Sequence, residues 1–307
     1  MKENLQRAIT FFTSHLRFRP VLIALQKCYH FPPVRRVARF FDPNYIRKIR
    51  PFRYQPSLAH IDWQGTRLLV DVNDHIGFQT FIRNEPFEMA VYAIAQKLDL
   101  SRGDVILDIG ANIGTASIPI CRERGCELAA VEASKDTAAQ LLRNISLNGV
   151  KAHVDVIALS SETGDDGFLK LHLHDGNRGA NSLQEDWAVS VVDNLFEWVP
   201  SQSLDDYIAR SPFADRISLI KIDVEGAELD VLRSGGIFLS HNTAPILMEY
   251  RIDANEKTRA MLHQVLDDLH DSYEVHALDE DGNKQPFDRN TAYSNVFFER
   301  RKQNVTV

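Results

Sequence analysis

Four short apolar runs in this chain each stop on an acid. Val105-Ile106-Leu107 meets Asp108, and Leu128-Ala129-Ala130-Val131 meets Glu132. The run from Ile217 ends at Asp223, and Ile246-Leu247-Met248 meets Glu249. Runs this short and this apolar suit strands buried on both faces, as in a parallel sheet. Helix-length segments separate them. The first, 113–124, carries Pro119, which predicts a kink or a late start, and Gly125 stops it. The second begins after Ser134, a cap residue, and ends at Asn148-Gly149. Two more follow at 226–233 and 256–270. Strands alternating with helices predict a doubly wound α/β sheet with right-handed crossovers. Ligands bind such sheets beyond the carboxyl ends of the strands, so the four acids are expected at one functional edge.

Around this frame the chain divides into a basic helical arm (1–50), a small β cover (51–84) and the main domain (85–307). Pro20, Pro32, Pro33 and Pro43 cut the arm into short helices. In the cover, alternation on both sides of Gln64-Gly65 predicts a β-hairpin. In the main domain, a third strand is expected at 153–158 and an antiparallel or edge strand at 168–174. Ser203-Leu204-Asp205-Asp206 resembles a capping box before a short helix. A terminal antiparallel pair is expected at 273–278 and 293–300, with Asp281-Gly282 in the connection.

Charge separates arm from body. Residues 1–60 hold twelve Lys or Arg against two Asp or Glu, leaving 23 against 40 in the rest of a chain whose net charge is −7. The acidic body argues against nucleic-acid binding. The basic arm suits peripheral contact with an anionic membrane, or an arm packed on the body or in a homodimer. Three cysteines, Cys28, Cys121 and Cys126, make no disulfide framework and suit a reducing cytosol. No secretory leader is visible, and no run approaches the ~20 apolar residues of a membrane span. The expected location is the cytoplasm, with the inner face of a membrane as the alternative.

The chemistry concentrates in three stretches. In Asp108-Ile109-Gly110-Ala111-Asn112-Ile113-Gly114, Gly110 permits a tight turn and close approach of a ligand, and Gly114 lets helix and strand pack. Ala111-Asn112 departs from the dinucleotide glycine pattern, and Asp108 would repel a pyrophosphate. A zwitterionic cofactor without phosphate, S-adenosylmethionine, fits better. Glu132, 18 residues after Gly114, can accept bonds from both hydroxyls of a ribose. In Lys221-Ile222-Asp223-Val224-Glu225-Gly226-Ala227-Glu228, Lys221 and Asp223 share one side of a strand, and a lysine in a buried strand requires a partner.

Together these stretches resemble the FkbM family of S-adenosylmethionine-dependent methyltransferases. Further matches in the same order are Leu142-Arg143-Asn144, Ala158-Leu159-Ser160 with Gly164, Asn181-Ser182-Leu183, Ser203-Leu204-Asp205 and Met248-Glu249. The resemblance implies a Rossmann-like class I methyltransferase sheet of seven strands, the last antiparallel. It also implies O-methylation of a small molecule, sugar, glycan or glycolipid precursor. By position, Asp108, Gly110, Ala111, Asn112 and Gly114 would cradle the methionine end and Glu132 the ribose. No acid follows the third strand, so adenine would rest on backbone groups or Ser160. Asp223 and Glu225 would lie near the methyl group. Either could take the acceptor's proton while Lys221 steadies the pair, and Asp223 could instead bind the cofactor's ammonium. His172 and His174 share a strand face and could join Arg178, Asn181 and Ser182 in a lid, or be a solvated face. They lack a clear third ligand, and no metal is expected. A nicotinamide oxidoreductase and an inactive binding protein of the same fold are the alternatives.

Overall fold

The computed structural model describes residues 19–43, 56–162, 164, 166–174, 176–184, 195–250, 256–291 and 293–301. Its centre is an eight-stranded sheet. In chain order the strands are β3 (Val105–Ile109), β4 (Glu127–Val131), β5 (Ala152–Asp155), β9 (Ile217–Ile222), β10 (Ile246–Tyr250), β11 (Tyr273–Leu278), β12 (Lys284–Pro286) and β13 (Tyr293–Arg300). Across the sheet they run β12-β11-β13-β10-β9-β3-β4-β5. Strands β10, β9, β3, β4 and β5 are parallel, and β13 runs antiparallel to both its neighbours. The expected seven strands are present, the last reversed. The eighth, β12, adds one strand to the edge and pairs only with β11. It is short and ends on Pro286, which an edge position tolerates.

Both faces of the sheet are covered. On one lie α7 (Leu204–Arg210), α8 (Glu228–Ser234), α9 (Gly236–His241) and α10 (Glu256–His270), over Leu107, Ile109, Ile220 and Ile222. On the other lie α4 (Met89–Gln96), α5 (Ser117–Arg124) and α6 (Lys135–Asn148), with the β1–β2 hairpin (Leu58–Trp63, Thr66–Asp71). Helix α5 starts late, at Ser117, as Pro119 predicts, because proline is tolerated in a first turn where no amide is needed. Ser134 precedes α6, but its side chain makes no capping bond.

Three segments differ from expectation. Residues 75–83, placed with the short strands of the cover, form helix α3 (His75–Arg83), capped by Asp74, whose carboxylate accepts the amides of Ile76 and Gly77. The run at 153–158 breaks in two: β5 stays in the main sheet, and β6 (Ala158–Leu159) crosses to a second sheet, β6-β8-β7. There β7 (Phe168–His172) pairs antiparallel with β8 (Phe196–Gln202), a strand whose apolar alternation is interrupted by Pro200. The described part of the arm, α1 (Arg19–Lys27) and α2 (Pro32–Ala38), packs on α3. Leu22, Leu25, Tyr29 and Phe41 meet Phe78 and Ile82, and Gln26 donates to the Phe81 carbonyl. The rest of the arm lies outside the described residues. Among the described residues no helix is long and apolar enough to cross a membrane.

Candidate active site

A cleft opens at the carboxyl ends of β3, β4 and β9. Gly110, Asn112, Glu132, Asp223 and Glu225 line it, and Ala158, Leu159, Leu171 and Leu183 give it an apolar wall. The sequence places these residues at three strand ends, and parallel pairing brings the ends together.

Gly110 makes the closest approach in the site. Its φ is +79°, and a Cβ there would lie 1.8 Å from the carbonyl oxygen of Asp223. Only glycine lets the loop after β3 touch the turn after β9. Every amide of residues 110–114 is used inside the protein. Those of Gly110 and Ala111 both donate to the Val131 carbonyl, and that of Gly114 to the Ala111 carbonyl. The Asn112 amide donates to Glu132 Oε2 (2.9 Å), and the Ile113 amide to Asn112 Oδ1 (2.7 Å). Gly114 stands under the loop, where a Cβ would strike Ile118 and Leu141, so it serves packing and not the cleft.

Glu132 is held by backbone amides. Its second oxygen, Oε1, accepts the Ser134 amide at 2.9 Å. Burial pushes its pKa up to about 7, against the lowering effect of the two amides.

The other end of the cleft rests on ion pairs. Asp108 and Lys221 are register partners on β3 and β9, so they share a sheet face. Lys221 Nζ lies 3.3 Å from Asp223 Oδ2, 3.5 Å from Glu88 Oε2 and 3.6 Å from Asp108 Oδ1. Asp108 is fully buried, and its Oδ2 accepts the Ser117 hydroxyl at 2.6 Å. Burial opposes the lysine's charge, but Glu88, Asp223 and Asp108 outweigh it and hold its pKa well above the ordinary value. Burial pushes Glu88 up to about 8, against the attraction of Lys221. Asp108, Lys221 and Glu88 form the foundation, and only Asp223 of this group lines the cleft.

The turn after β9 is braced by Glu228. Its Oε1 accepts the Val224 amide (2.9 Å), and its Oε2 the Gly226 amide (3.0 Å). Between them Glu225 sits at φ +52°, a conformation costly for a residue with a Cβ. The Ser182 hydroxyl holds it by donating to the Glu225 carbonyl at 2.7 Å. Asp223, Glu228 and Glu249 bring one carboxylate oxygen each within 4.8 Å of one another, a spacing that could hold a cation. Two of the three are already engaged, Asp223 by Lys221 and Glu228 by the amides.

Ser160 is buried and does not line the cleft. Its hydroxyl accepts the Glu162 amide and its own amide donates to Gln202. Ala158 and Leu159 form the adjoining wall in its place. Neither His172 nor His174 lines the cleft; Arg178 and Asn181 do. Sequence reasoning assigned no role to Glu88, Ser117 or Glu228. No sequence signal singles out Glu88, which precedes a helix where an acid is ordinary.

The family model of the methyltransferase FkbM domain matches residues 108–275, more than half of the chain. The chain belongs to the FkbM methyltransferase family. The sheet order β5-β4-β3-β9-β10-β13-β11 with β13 reversed is the Rossmann-like class I methyltransferase arrangement. "Methyltransferase 1" of Beauveria bassiana (strain ARSEF 2860) is 30% identical over 166 residues, 50% of this chain and 66% of that protein. The methyltransferase FkbM of Methylobacillus flagellatus KT is 15% identical, with a TM-score of 0.42 over 72% of this chain and 52% of its own. The tRNA (uracil-54, C5)-methyltransferase of Pyrococcus abyssi, solved with S-adenosyl-L-homocysteine, is 15% identical, with a TM-score of 0.40 over 81% of this chain and 45% of its own. This FkbM chain thus matches between 45% and 66% of the length of these relatives.

Proposed function

We propose that the cleft binds S-adenosylmethionine and that the protein methylates a hydroxyl of a sugar, a glycan or glycolipid precursor, or another secondary metabolite. One observation carries the choice of cofactor. All five amides of the 110–114 loop are spent internally, so the loop presents no N–H cradle for a phosphate. A nicotinamide dinucleotide needs that cradle, and S-adenosylmethionine does not. The residues present fit the phosphate-free ligand. Gly110 lets the loop pack against the turn that carries Asp223 and Glu225, and Glu132 offers acceptor oxygens to two ribose hydroxyls.

The cofactor supplies an electrophilic methyl on a sulfonium; the chain supplies position and a destination for a proton. Asp223, anchored by Lys221, faces the cationic part of the ligand. Glu225 lines the cleft beside it and takes the acceptor's hydroxyl proton onto a carboxylate oxygen. The Ser182 and Glu228 bonds hold that residue in its strained geometry. No metal takes part in this scheme, because Asp223 and Glu228 already have protein partners. EDTA is therefore expected to leave methyl transfer unchanged, and loss restored by a divalent ion would refute this.

Calorimetry tests the cofactor. S-adenosylhomocysteine should bind, NAD should not, and Glu132→Ala should weaken the former at least about tenfold. Binding of NAD alone would establish the oxidoreductase alternative. Glu225→Gln should keep cofactor affinity and lose about 10²-fold or more in transfer from methyl-labelled cofactor to acceptors in a cell extract. Unchanged transfer would remove Glu225 from the mechanism.

A further inference from the structure

The charges lining the cleft are uneven. Glu132, Asp223 and Glu225 are acids, and among the described lining residues Arg178 is the one cation. Three acids suit the sulfonium and ammonium of the proposed cofactor. The same ligand carries one carboxylate, which needs a cation of its own.

Arg178 is built into place. It opens a 3-10 turn, Arg178–Ala180, that the cover pins down from outside the main domain. Asp74, buried at the start of α3, accepts the Arg178 amide at 2.7 Å with the same carboxylate that caps the helix. The His75 amide donates to the Gly176 carbonyl at 3.0 Å. Gly179 is pressed on α3 so closely that a Cβ would lie 2.8 Å from Ile76. The guanidinium has partners on α6 and on the hairpin. Nη1 donates to Gln140 Oε1 at 3.2 Å, and Nη2 faces Asp71 Oδ2 at 3.7 Å. The Asp71 contact is an ion pair longer than a hydrogen bond, so it orients the fork by charge. A planar guanidinium held this way suits a carboxylate.

We infer that Arg178 binds the carboxylate of the cofactor's methionine, with Gln140 and Asp71 orienting the guanidinium and Asp74 fixing the turn that carries it. The inference rests on the cofactor reading above. It makes the hairpin and α3 part of the binding site.

The test compares two ligands that differ by one group: S-adenosylhomocysteine and its decarboxylated analogue, S-adenosyl-3-thiopropylamine. Calorimetric affinities are measured on the wild-type chain, Arg178→Lys and Arg178→Met. The wild type should prefer the carboxylate ligand by about tenfold or more. Arg178→Met should lose that preference while binding the amine analogue within about twofold of wild type, which also shows that the pocket has folded. Arg178→Lys should retain part of the preference, as a point charge lacks the fork. Equal weakening of both ligands, or an unchanged preference in Arg178→Met, overturns the assignment to the carboxylate and leaves the cofactor reading intact. Failure of the wild type to bind either ligand overturns both.

Discussion

The two ends of the cleft keep buried acids by opposite means. Among the described residues no cation pairs with Glu132, and its charge is met by two backbone amides, one on each oxygen. Asp108, Asp223 and Glu88 surround a lysine instead. An amide-held carboxylate is positioned by the chain itself and presents its remaining lone pairs to a ligand. An ion cluster holds its members through long side chains and carries a heavy desolvation cost. The first design suits recognition of a ligand. The second suits a foundation on which one exposed member, Asp223, is oriented.

That contrast can be broken in three places. The largest effect is expected at Lys221. Lys221→Met leaves Asp108 buried without its countercharge and should cost about 3–5 kcal/mol of stability in urea unfolding. A loss under about 1 kcal/mol would mean that the acids are not held by the lysine.

A pH titration sharpens the other end. The Glu132 pKa rises from an ordinary 4.5 to about 7 on folding. Between those values the native state keeps a proton that the unfolded chain has lost. Stability of the free protein should therefore fall as pH rises through that window and level off above it. Glu88 adds a parallel decline that runs to about 8. Affinity for S-adenosylhomocysteine should move the opposite way, tightening by up to about tenfold per pH unit towards 7 as the carboxylate ionises to accept the ribose hydroxyls. Calorimetry on Glu132→Gln should show that slope flattened, and a persistent slope would assign it to another group.

The smallest effect is expected at Ser117. Ser117→Ala removes one hydrogen bond to Asp108 and should cost about 1–2 kcal/mol with cofactor affinity unchanged. A weakened cofactor would show that the foundation and the recognition end are coupled.

Much of this site was legible in the sequence because its acids close strands, and a strand's end is marked by where an apolar run stops. Asp108, Glu132 and Asp223 are marked that way, and Glu225 lies in the turn just after Asp223. Glu88 was not, because it precedes a helix, where an acid looks like an ordinary first-turn residue. Its meaning depends on which helix covers which face of the sheet. The crossing of β6 into a second sheet was hidden for a related reason. Residues 153–158 read as one strand in sequence, and only the pairing of β5 with β4 and of β6 with β8 divides it. Helix α3 was hidden by the alternation of the hairpin before it, though Asp74 ahead of 75–83 is a capping residue that could have shown it.

The bond from Asp74 to Arg178 spans 104 residues of chain, and the contact from Glu88 to Lys221 joins stretches farther apart still. Contacts this far apart close late in folding, after the entropy of long loops has been overcome. During synthesis the glycine loop leaves the ribosome more than a hundred residues before the lysine that completes its foundation. The nascent chain therefore exposes the 110–114 loop before the cleft can form, and the cleft is complete only once β9 has paired with β3.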